Sequence, residues 1–448
     1  MHHCPRDPSP LSPGRSHSNA NSGDARPVGS SFSPLDQRLR LGTEGYSPTV
    51  LRKLVRQASK ASSFRDASDD LKELAGVTIC PTHLGKLAER IGREWTQKRD
   101  ADVESFRTNT LAAECVPTAP AAAVMIDGGR LQTRQPSDQA GPGVHSPGWR
   151  EVKVACCQTL SSKVHAVDPQ PDPPSKFLNP VEVARLAAEV QSRGGATAKR
   201  LAKTPINARP KKKKKKKRSG PKKLVRTVIA SMATSEVFGW QMVAEVQRRG
   251  LDKVNRKGYV CDGQKYNWTL YEMHLLPLGF VGILDVLHLL AYLYGAAQAL
   301  EGKGSTGAWK TYERWLRWAW SGQVTKLLSE LRGGCEKLGP PPKDGADTDP
   351  RQVLADARGY VENNGSRMKY PEYRRLGLPI SSAPVESVMK QVNRRMKGTE
   401  KFWLEGGAEA IVQLRAAHLS EDGRVDRYWT RPRPYAPAVG SGRLRPAA

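Results

Sequence analysis

The chain has 448 residues, and its 72 Lys and Arg against 44 Asp and Glu give a formal net charge of +28 at pH 7. An excess of this size favours a polyanionic partner, of which nucleic acid is the best candidate. No run approaches the ~18 consecutive apolar residues that a membrane span needs, and no apolar signal-peptide core follows Met1. We therefore expect no membrane partner.

The seven cysteines show no CxxC spacing. An odd number of cysteines without paired spacing indicates reduced thiols in a cytoplasmic protein. The same pattern argues against a disulfide framework or a zinc site.

Both ends of the chain are predicted to be disordered. Residues 1–44 are rich in Ser, Pro, Gly and Arg and show almost no periodic apolar pattern, which is typical of a disordered leader. Residues 433–448 form a basic, proline-rich tail. The 33 prolines and a hydrophobic content of 38% fit a chain of which a part does not fold.

Residues 45–110 are predicted to form a small all-α DNA-binding domain. One helix begins at Pro48, a second is closed by Gly76, and a third covers Pro81–Ile91. Helix, glycine turn and helix are typical of a helix-turn-helix, whose second helix enters the major groove of DNA. Three packed helices without DNA contacts would show the same pattern, so this alternative stays open. On the third helix the candidate DNA contacts are Lys86 and Arg90.

Residues 118–432 are predicted to form an α/β domain. Its first strand is the apolar run AAAVMI, which ends at Asp127, and an adjoining strand covers Trp149–Thr159. Because no helix lies between these two strands, they are predicted to pair antiparallel. A further strand covers Leu224–Met232, and residues 161–223 before it are predicted to be a flexible excursion from the sheet.

The excursion carries a basic loop. Seven lysines follow one another from Lys211 to Lys217, and such a block repels itself and stays flexible. This favours non-specific contact with nucleic-acid phosphates over the recognition of a sequence. The candidate phosphate contacts here are Lys211, Lys214 and Lys217.

The stretch KGYVCDGQKYNWTLYEMHLLPLGFVGILDVLHLL contains two predicted strands that each deliver an aspartate. Gly258–Cys261 is followed by Asp262. Phe280–Leu284 is followed by Asp285, with His288 three residues further on. Ligands of α/β sheets collect at the carboxyl ends of the strands, so the pattern predicts an acidic site at this edge. A second interpretation, that His288 is a buried histidine bonded to Asp285, stays open.

Residues 289–380 are predicted to form a helical insertion that is rich in tryptophan. Large aromatic side chains usually belong to the core, although one of them could stack on a nucleic-acid base. The tryptophans concerned are Trp309, Trp315, Trp318 and Trp320.

A helix from Ser382 to Met396 is predicted next and carries Glu386 in its first turn. Cationic and amide side chains share a face with Glu386, and an acid flanked by cations suits a metal ion beside a DNA phosphate. The alternative is that this acid only stabilises the helix macrodipole. The candidate DNA contacts near it are Lys390, Asn393, Arg394 and Lys397.

Asp127, Asp262 and Glu386 each lie at the start or end of a predicted element. The cleavage and joining of phosphodiester bonds uses two magnesium ions about 3.5–4 Å apart, and such hard cations prefer carboxylate oxygens. Clustered carboxylates also repel one another unless a metal is bound. We therefore predict that these three acids are the metal ligands and the catalytic residues, with two Mg²⁺ ions as cofactor and Mn²⁺ as a substitute.

Over about residues 45–432 the sequence resembles the ISKra-type insertion-sequence transposases, a DDE family distantly related to the Mutator group. The motifs that carry the resemblance are MIDGGR, GWREVKVACC, IASM before SEVFGWQMVAEVQRRGL, YVCDGQKYNW, ILDVLH, and the block from APVESVMKQV to GRVDRYW. The resemblance rests on the order and spacing of these motifs.

The resemblance implies an RNase H-like fold whose helical insertion precedes the glutamate helix. It implies a DDE triad of Asp127, Asp262 and Glu386. It also implies that Asp285 and His288, which match an Asp/Cys-x-x-His motif, support the site or contact DNA. Asp262 is preferred to Asp285 as the second metal ligand, because the glycine after it frees the backbone for the approach of substrate.

The function implied is that of a magnesium-dependent DNA transposase in the bacterial cytoplasm, associated with the nucleoid. It would bind double-stranded DNA at terminal inverted repeats, hydrolyse phosphodiester bonds there and join the 3′ hydroxyls to target DNA, as a dimer or larger assembly. Two alternatives stay open. One is a metal-dependent DNA nuclease without strand joining, and the other is a non-catalytic DNA-binding protein derived from a transposase.

Overall fold

A computed structural model describes residues 45–114, 119–136, 145–191, 220–342, 346–398 and 401–431, together with residues 38, 41 and 344. Nearly all of the predicted leader, the lysine run with Lys211, Lys214 and Lys217, and the predicted tail lie outside these residues. Residues 52–431 form one compact unit, and the described residues 45–51 belong to a second grouping.

Five strands form one mixed sheet. They are β1 (Ala121–Pro136), β2 (His145–Ser161), β3 (Lys222–Ser231), β4 (Arg256–Cys261) and β5 (Val281–Leu284). Their order is β3-β2-β1-β4-β5. β2 is antiparallel to both β1 and β3, whereas β4 is parallel to both β1 and β5. The α/β class and the antiparallel pairing of the first two strands are thereby confirmed.

The described residues also form α-helices, which come before, between and after these strands in the sequence. They are α1 (Pro48–Lys60), α2 (Phe64–Ala75), α3 (Pro81–Arg107), α4 (Pro180–Gln191), α5 (Ser235–Arg248), α6 (Lys265–Leu270), α7 (Val286–Glu301), α8 (Thr306–Trp320), α9 (Val324–Leu338), α10 (Pro350–Asn364), α11 (Tyr370–Arg375), α12 (Ala383–Met396), α13 (Glu405–Leu419) and α14 (Arg424–Thr430). The predicted stop after α2 is confirmed, since Gly76 has φ +62°, a conformation that glycine adopts without strain.

The predicted first strand, residues 121–126, forms the core of the sheet. Residues 121–126 of β1 are all buried, as expected for a strand covered on both faces. Strand β4 is buried over Gly258–Cys261 and β5 over Gly282–Leu284. The parallel strands that lead to the predicted acids are therefore rigidly held.

Strand β1 is longer than predicted, and the expectation that it ends at Asp127 was wrong. It continues to Pro136 and pairs with β2 as far as His145. The reason is a period-two pattern, because Leu131 and Thr133 are buried while Arg130 and Arg134 are exposed. Beyond Met125 the pairing with β4 ends, so this part of β1 forms a hairpin with β2, and its other edge is joined to Trp403 by an isolated parallel bridge at Thr133.

Helix α3 is also longer than predicted, because its apolar and charged pattern continues after Ile91. Trp95 is buried, and Lys98 forms an ion pair with Asp102 at 3.1 Å, one helical turn further on. The helix packs mainly against α13. At Gly92 the contact is so close that a Cβ atom would lie 2.3 Å from the carbonyl oxygen of Ala410.

The helices α7 to α11 lie between β5 and α12 in the sequence, as the predicted insertion requires. Trp315 and Trp320 are buried, which confirms the prediction that they are core residues. In the described part of the chain, no helix is long and apolar enough to cross a membrane.

Candidate active site

Three aspartates lie level with one another on three adjacent strands. The last parallel pair between β1 and β4 joins Met125 to Val260, and two residues further along each strand come Asp127 and Asp262. Parallel strands in register bring equivalent positions to the same edge of the sheet.

The same relation holds between β4 and β5. Their last pair joins Cys261 to Leu284, and the next residues are Asp262 and Asp285. The Asp285 amide donates to the carbonyl of Cys261 over 2.8 Å, which fixes the two strand ends to each other. We refer to Asp127, Asp262, Asp285 and Glu386 together as the acidic edge.

Glu386 reaches this edge from helix α12. It lies in the first turn of the helix and is 9% exposed. The Ser382 hydroxyl lies 3.3 Å from Glu386 Oε1 and donates to Asp285 Oδ2 over 2.8 Å. Within the described residues, one group of three metal-ligand types has all its ligand atoms within 4.8 Å of one another, and it consists of Asp285, His288 and Glu386.

Asp285 is a fully buried carboxylate whose two oxygens are both occupied by donors. Oδ1 accepts from the backbone amides of Leu287 at 3.2 Å and Ser382 at 3.1 Å. Oδ2 accepts from the Ser382 hydroxyl and bonds to His288 Nδ1 at 2.6 Å. A metal ion at Asp285 would have to displace one of these bonds, so this residue fits a role in holding His288 and α12 in place.

His288 lies between the buried Asp285 and the other acids. Burial by itself lowers the pKa of His288, but the hydrogen bond to Asp285 and the charges of Asp285, Asp262 and Glu386 raise it to about 9. The charges of Asp262 and Glu386 therefore converge on one imidazole. The structure confirms the interpretation of His288 as a histidine bonded to Asp285. In addition, the charges of two further acids, Asp262 and Glu386, act on the same ring.

Asp262 follows β4 in a turn that is closely packed against the insertion. Its Oδ1 accepts from the Gln264 amide at 3.2 Å and from the Asn267 side chain at 2.8 Å. The Tyr360 hydroxyl donates to the Asp262 carbonyl over 2.8 Å. Gly263 has φ +87°, and a Cβ atom there would lie 2.8 Å from the Tyr360 ring. Glycine at this position thus serves both the turn and the approach of Tyr360.

Asp127 lies on the face of β1 that is turned towards α12. The next residue on that face is Gly129, where a Cβ atom would lie 3.2 Å from Met389 Sδ. Tyr266 lies close to Gly128 on the other face. Burial raises the pKa of Tyr266, and the charges of Asp262, Glu151 and Asp127 raise it further. The charges of Asp127 and Asp262 therefore both act on the Tyr266 hydroxyl.

The candidate DNA contacts on and just after α12 lie in different surroundings. Lys390 forms an ion pair with Glu189 of α4, and Asn393 is half-buried near Gly129. Lys397 lies just past the helix end, where burial lowers its pKa and the charge of Asp127 partly restores it. Arg394 is exposed. Lys397 is thus the predicted cation that the geometry links most directly to a predicted metal ligand.

Lys86 and Arg90 lie on α3, in a different part of the sequence from the acids of the acidic edge. Lys86 is exposed, and Arg90 forms an ion pair with Glu94 at 4.0 Å. Their role as DNA contacts stays a prediction, as does the boundary between residues 45–110 and 118–432.

The residues of the acidic edge fit magnesium chemically, because Asp127, Asp262 and Glu386 offer the carboxylate oxygens that this hard cation prefers. These three acids do not form a group within 4.8 Å among the described residues. Two ions about 3.5–4 Å apart would need acids spread over a wider space than a single ion does.

Four residues of the site were not predicted from the sequence, namely Tyr266, Asn267, Tyr360 and Ser382. Asn267 and Tyr266 follow Asp262 closely within YVCDGQKYNW, so the motif itself contained them. Tyr360 and Ser382 come from elements about a hundred residues away, and no local pattern marks their role. The sequence matches no protein-family model, and no curated protein is similar to it.

Proposed function

We propose that this protein is a metal-dependent DNA transposase of the DDE type, in which Asp127, Asp262 and Glu386 hold two magnesium ions. The observation that carries the proposal is the register of the sheet. It brings aspartates to the same level on adjacent parallel strands, and the charge of Glu386 reaches the same imidazole as that of Asp262.

An RNase H-like fold is part of the proposal. The mixed five-stranded sheet supports it, as do Asp127 within β1, Asp262 directly after β4 and the glutamate on a later helix. The helices between β5 and α12 agree with the insertion that the family resemblance implies. Helix-turn-helix recognition by α2 and α3, a dimer on DNA and a location at the bacterial nucleoid belong to the same proposal.

When bound, the metal pair would activate the attacking hydroxyl or water and stabilise the leaving oxygen. The chain's own residues have separate tasks. Asp127, Asp262 and Glu386 supply the ligand oxygens. Asp285 holds the imidazole of His288 through Nδ1 and anchors Ser382 at the start of α12. His288 can then direct its other ring nitrogen to an anionic group such as a phosphate oxygen.

The test is an oligonucleotide assay with wild-type protein, Mg²⁺ or Mn²⁺, and duplexes that contain the inverted repeats flanking the coding sequence. A labelled target duplex reports joining. A transposase should cut at the repeat ends and produce joined product. Cutting without joined product would favour the nuclease, and binding without cutting would favour the non-catalytic DNA-binding protein.

A further inference from the structure

The hairpin formed by the distal halves of β1 and β2 has one open face. In this hairpin Gln132 lies opposite Trp149, and Arg130 lies opposite Glu151. The alternation along β1 turns Leu131 and Thr133 inwards, where they are 0% and 2% exposed. Arg130, Gln132, Arg134 and Trp149 therefore share the other face, which we call the hairpin face.

Trp149 is the unusual member of this face because its side chain is 63% exposed. It is the one tryptophan among the strongly exposed large apolar side chains of the described ranges. An indole carries a large apolar surface that normally contributes to a core or an interface. A tryptophan held on a strand but left in solvent is typical of a contact surface.

The charges on this face are not neutralised by the chain itself. Within the part of the chain that the structure describes, no ion pair is formed by Arg130 or Arg134. Their neighbours differ, since Lys153 pairs with Glu151 at 2.9 Å and Arg150 pairs with Glu405 at 2.7 Å. Two arginines without carboxylate partners beside an exposed indole favour an anionic ligand that also has aromatic faces, which is nucleic acid.

The hairpin face begins beside the acidic edge, although Asp127 itself lies on the opposite face of β1. At the start of the hairpin face, a Cβ atom at Gly128 would lie 3.2 Å from the hydroxyl of Tyr266, four residues after Asp262. Arg130 is three residues beyond Asp127, which is about 10 Å along a strand at about 3.3 Å per residue. Gln132, opposite Trp149, is five residues beyond it, or about 17 Å. DNA that is bound at the acidic edge and continues on the Tyr266 side of β1 would thus extend over the arginines and the indole.

We propose that the hairpin face binds the DNA next to the cleaved bond, with Trp149 stacked on an unpaired base and Arg130 and Arg134 on phosphates. Inside a duplex, a base already has stacked neighbours on both faces, so an exposed indole gains most from a base at an open end or a frayed junction. The inference rests on the proposed function, because it takes the acidic edge to be a DNA site.

The test measures binding by fluorescence anisotropy without metal, so that it does not depend on catalysis. The probes are a blunt fluorescein-labelled duplex and the same duplex with an unpaired 3′ extension. Trp149→Ala should weaken binding of the extended probe by about 5- to 100-fold, the range of base–aromatic stacking, and should change binding of the blunt probe much less. Trp149→Phe should recover most of the loss.

Two matched variants sharpen the result. Arg130→Ala and Arg134→Ala should weaken both probes and each lower the salt dependence of binding by about one phosphate contact. Val167→Ala, at a side chain that is also highly exposed but lies outside the hairpin and the predicted DNA-binding helices, should leave both probes unchanged. An equal loss on both probes for Trp149→Ala, or no loss, would overturn the stacking role.

The inference and the proposed function can fail separately. If wild-type protein cuts and joins DNA while Trp149→Ala binds the extended probe normally, the hairpin inference is wrong and the transposase proposal stands. If no cleavage is found but Trp149→Ala loses the extended probe selectively, the hairpin is a DNA contact of a non-catalytic protein.

Discussion

Two groups of charged side chains in this molecule use carboxylates in opposite ways. In the first, which we call the ion network, Asp422 lies 3.3 Å from Arg248, 3.7 Å from Arg249 and 2.8 Å from Arg424. In the acidic edge, by contrast, Asp262 accepts hydrogen bonds only from neutral groups among the described residues.

The ion network also surrounds Glu245, which pairs with Arg248 at 2.5 Å and with Arg424 at 2.6 Å. Burial by itself raises the pKa of Glu245, but the charges of Arg424 and Arg248 lower it below its usual value. Carboxylates that are buried and paired in this way are part of the folded structure.

The carboxylates of the acidic edge are arranged differently from those of the ion network. The acids of this edge come from separate strands and a helix, and the charges of Asp285, Asp262 and Glu386 add up at His288. Such a cluster costs stability when no cation is bound, and sites with this property are candidates for function. The comparison predicts that the loss of one charge lowers stability strongly in the ion network and changes it little in the acidic edge.

The largest effect is expected for the catalytic activity of Asp262→Asn. Loss of a metal-ligand oxygen should reduce cleavage of the repeat ends by at least about 10³-fold, while binding of the same DNA persists. Asp172→Asn, an exposed aspartate on the excursion, is the matched control and should cleave like the wild type. Full cleavage by the Asp262 variant would remove this residue from the metal site.

A large loss of stability is expected when one cation is removed from the ion network. Arg424→Met removes one of the two arginines that Glu245 and Asp422 share, and the free energy of unfolding should fall by about 3 kcal/mol. The measurement is urea denaturation at pH 7. The matched control is Arg185→Met, whose pair with Glu182 at 2.7 Å is exposed and should contribute less than about 1 kcal/mol. Equal effects of the two variants would contradict the distinction.

A smaller effect is expected from His418, a half-buried histidine that joins α1 to α13. Its Nδ1 lies 3.1 Å from the Ser59 hydroxyl and 3.0 Å from the Leu414 carbonyl. Burial lowers the pKa of His418 from 6.5 to about 4. Because the unfolded chain binds this proton more readily, stability is present above pH 6.5 and is lost as the pH falls towards 4.

Between pH 7 and pH 5 this histidine should contribute a loss of about 2 kcal/mol in the free energy of unfolding. The His418→Gln variant cannot take up the proton and should show a correspondingly flatter pH dependence in urea denaturation. If wild type and variant have the same slope over this interval, the neutral histidine is not the cause.

The smallest effect is expected for the stability of Asp262→Asn. Since Asp262 has neutral partners, removing its charge should change the free energy of unfolding by less than about 1 kcal/mol in metal-free buffer. A loss as large as that of Arg424→Met would mean that the acidic edge is a structural group like the ion network.

The position of a site residue could be predicted from the sequence where an acid directly follows an apolar strand. Asp262 and Asp285 were placed correctly at the ends of β4 and β5, because short buried runs bounded by Asp and Gly are strong local patterns. The end of β1 was wrong, since Gly128 and Gly129 resemble a turn and only the alternation after them indicates a continuing strand. Glycine there instead admits the close approach of Tyr266 and Met389.

The partners of the site could not be predicted in the same way. Ser382 bonds to Asp285 across 97 positions in the sequence and Tyr360 to Asp262 across 98. The ion network joins Arg248 to Asp422 across 174 positions. Such contacts depend on how helices pack after the chain has folded, and no spacing within one element reveals them.

The most direct test of the shared metal site is a titration of Mn²⁺ followed by electron paramagnetic resonance, with end DNA bound. The account predicts that wild-type protein and Asp172→Asn bind Mn²⁺ equally well, and that Asp127→Asn, Asp262→Asn and Glu386→Gln each bind it at least about 10-fold more weakly. Unchanged Mn²⁺ affinity in these three variants would contradict the claim that the acids converge on one metal pair.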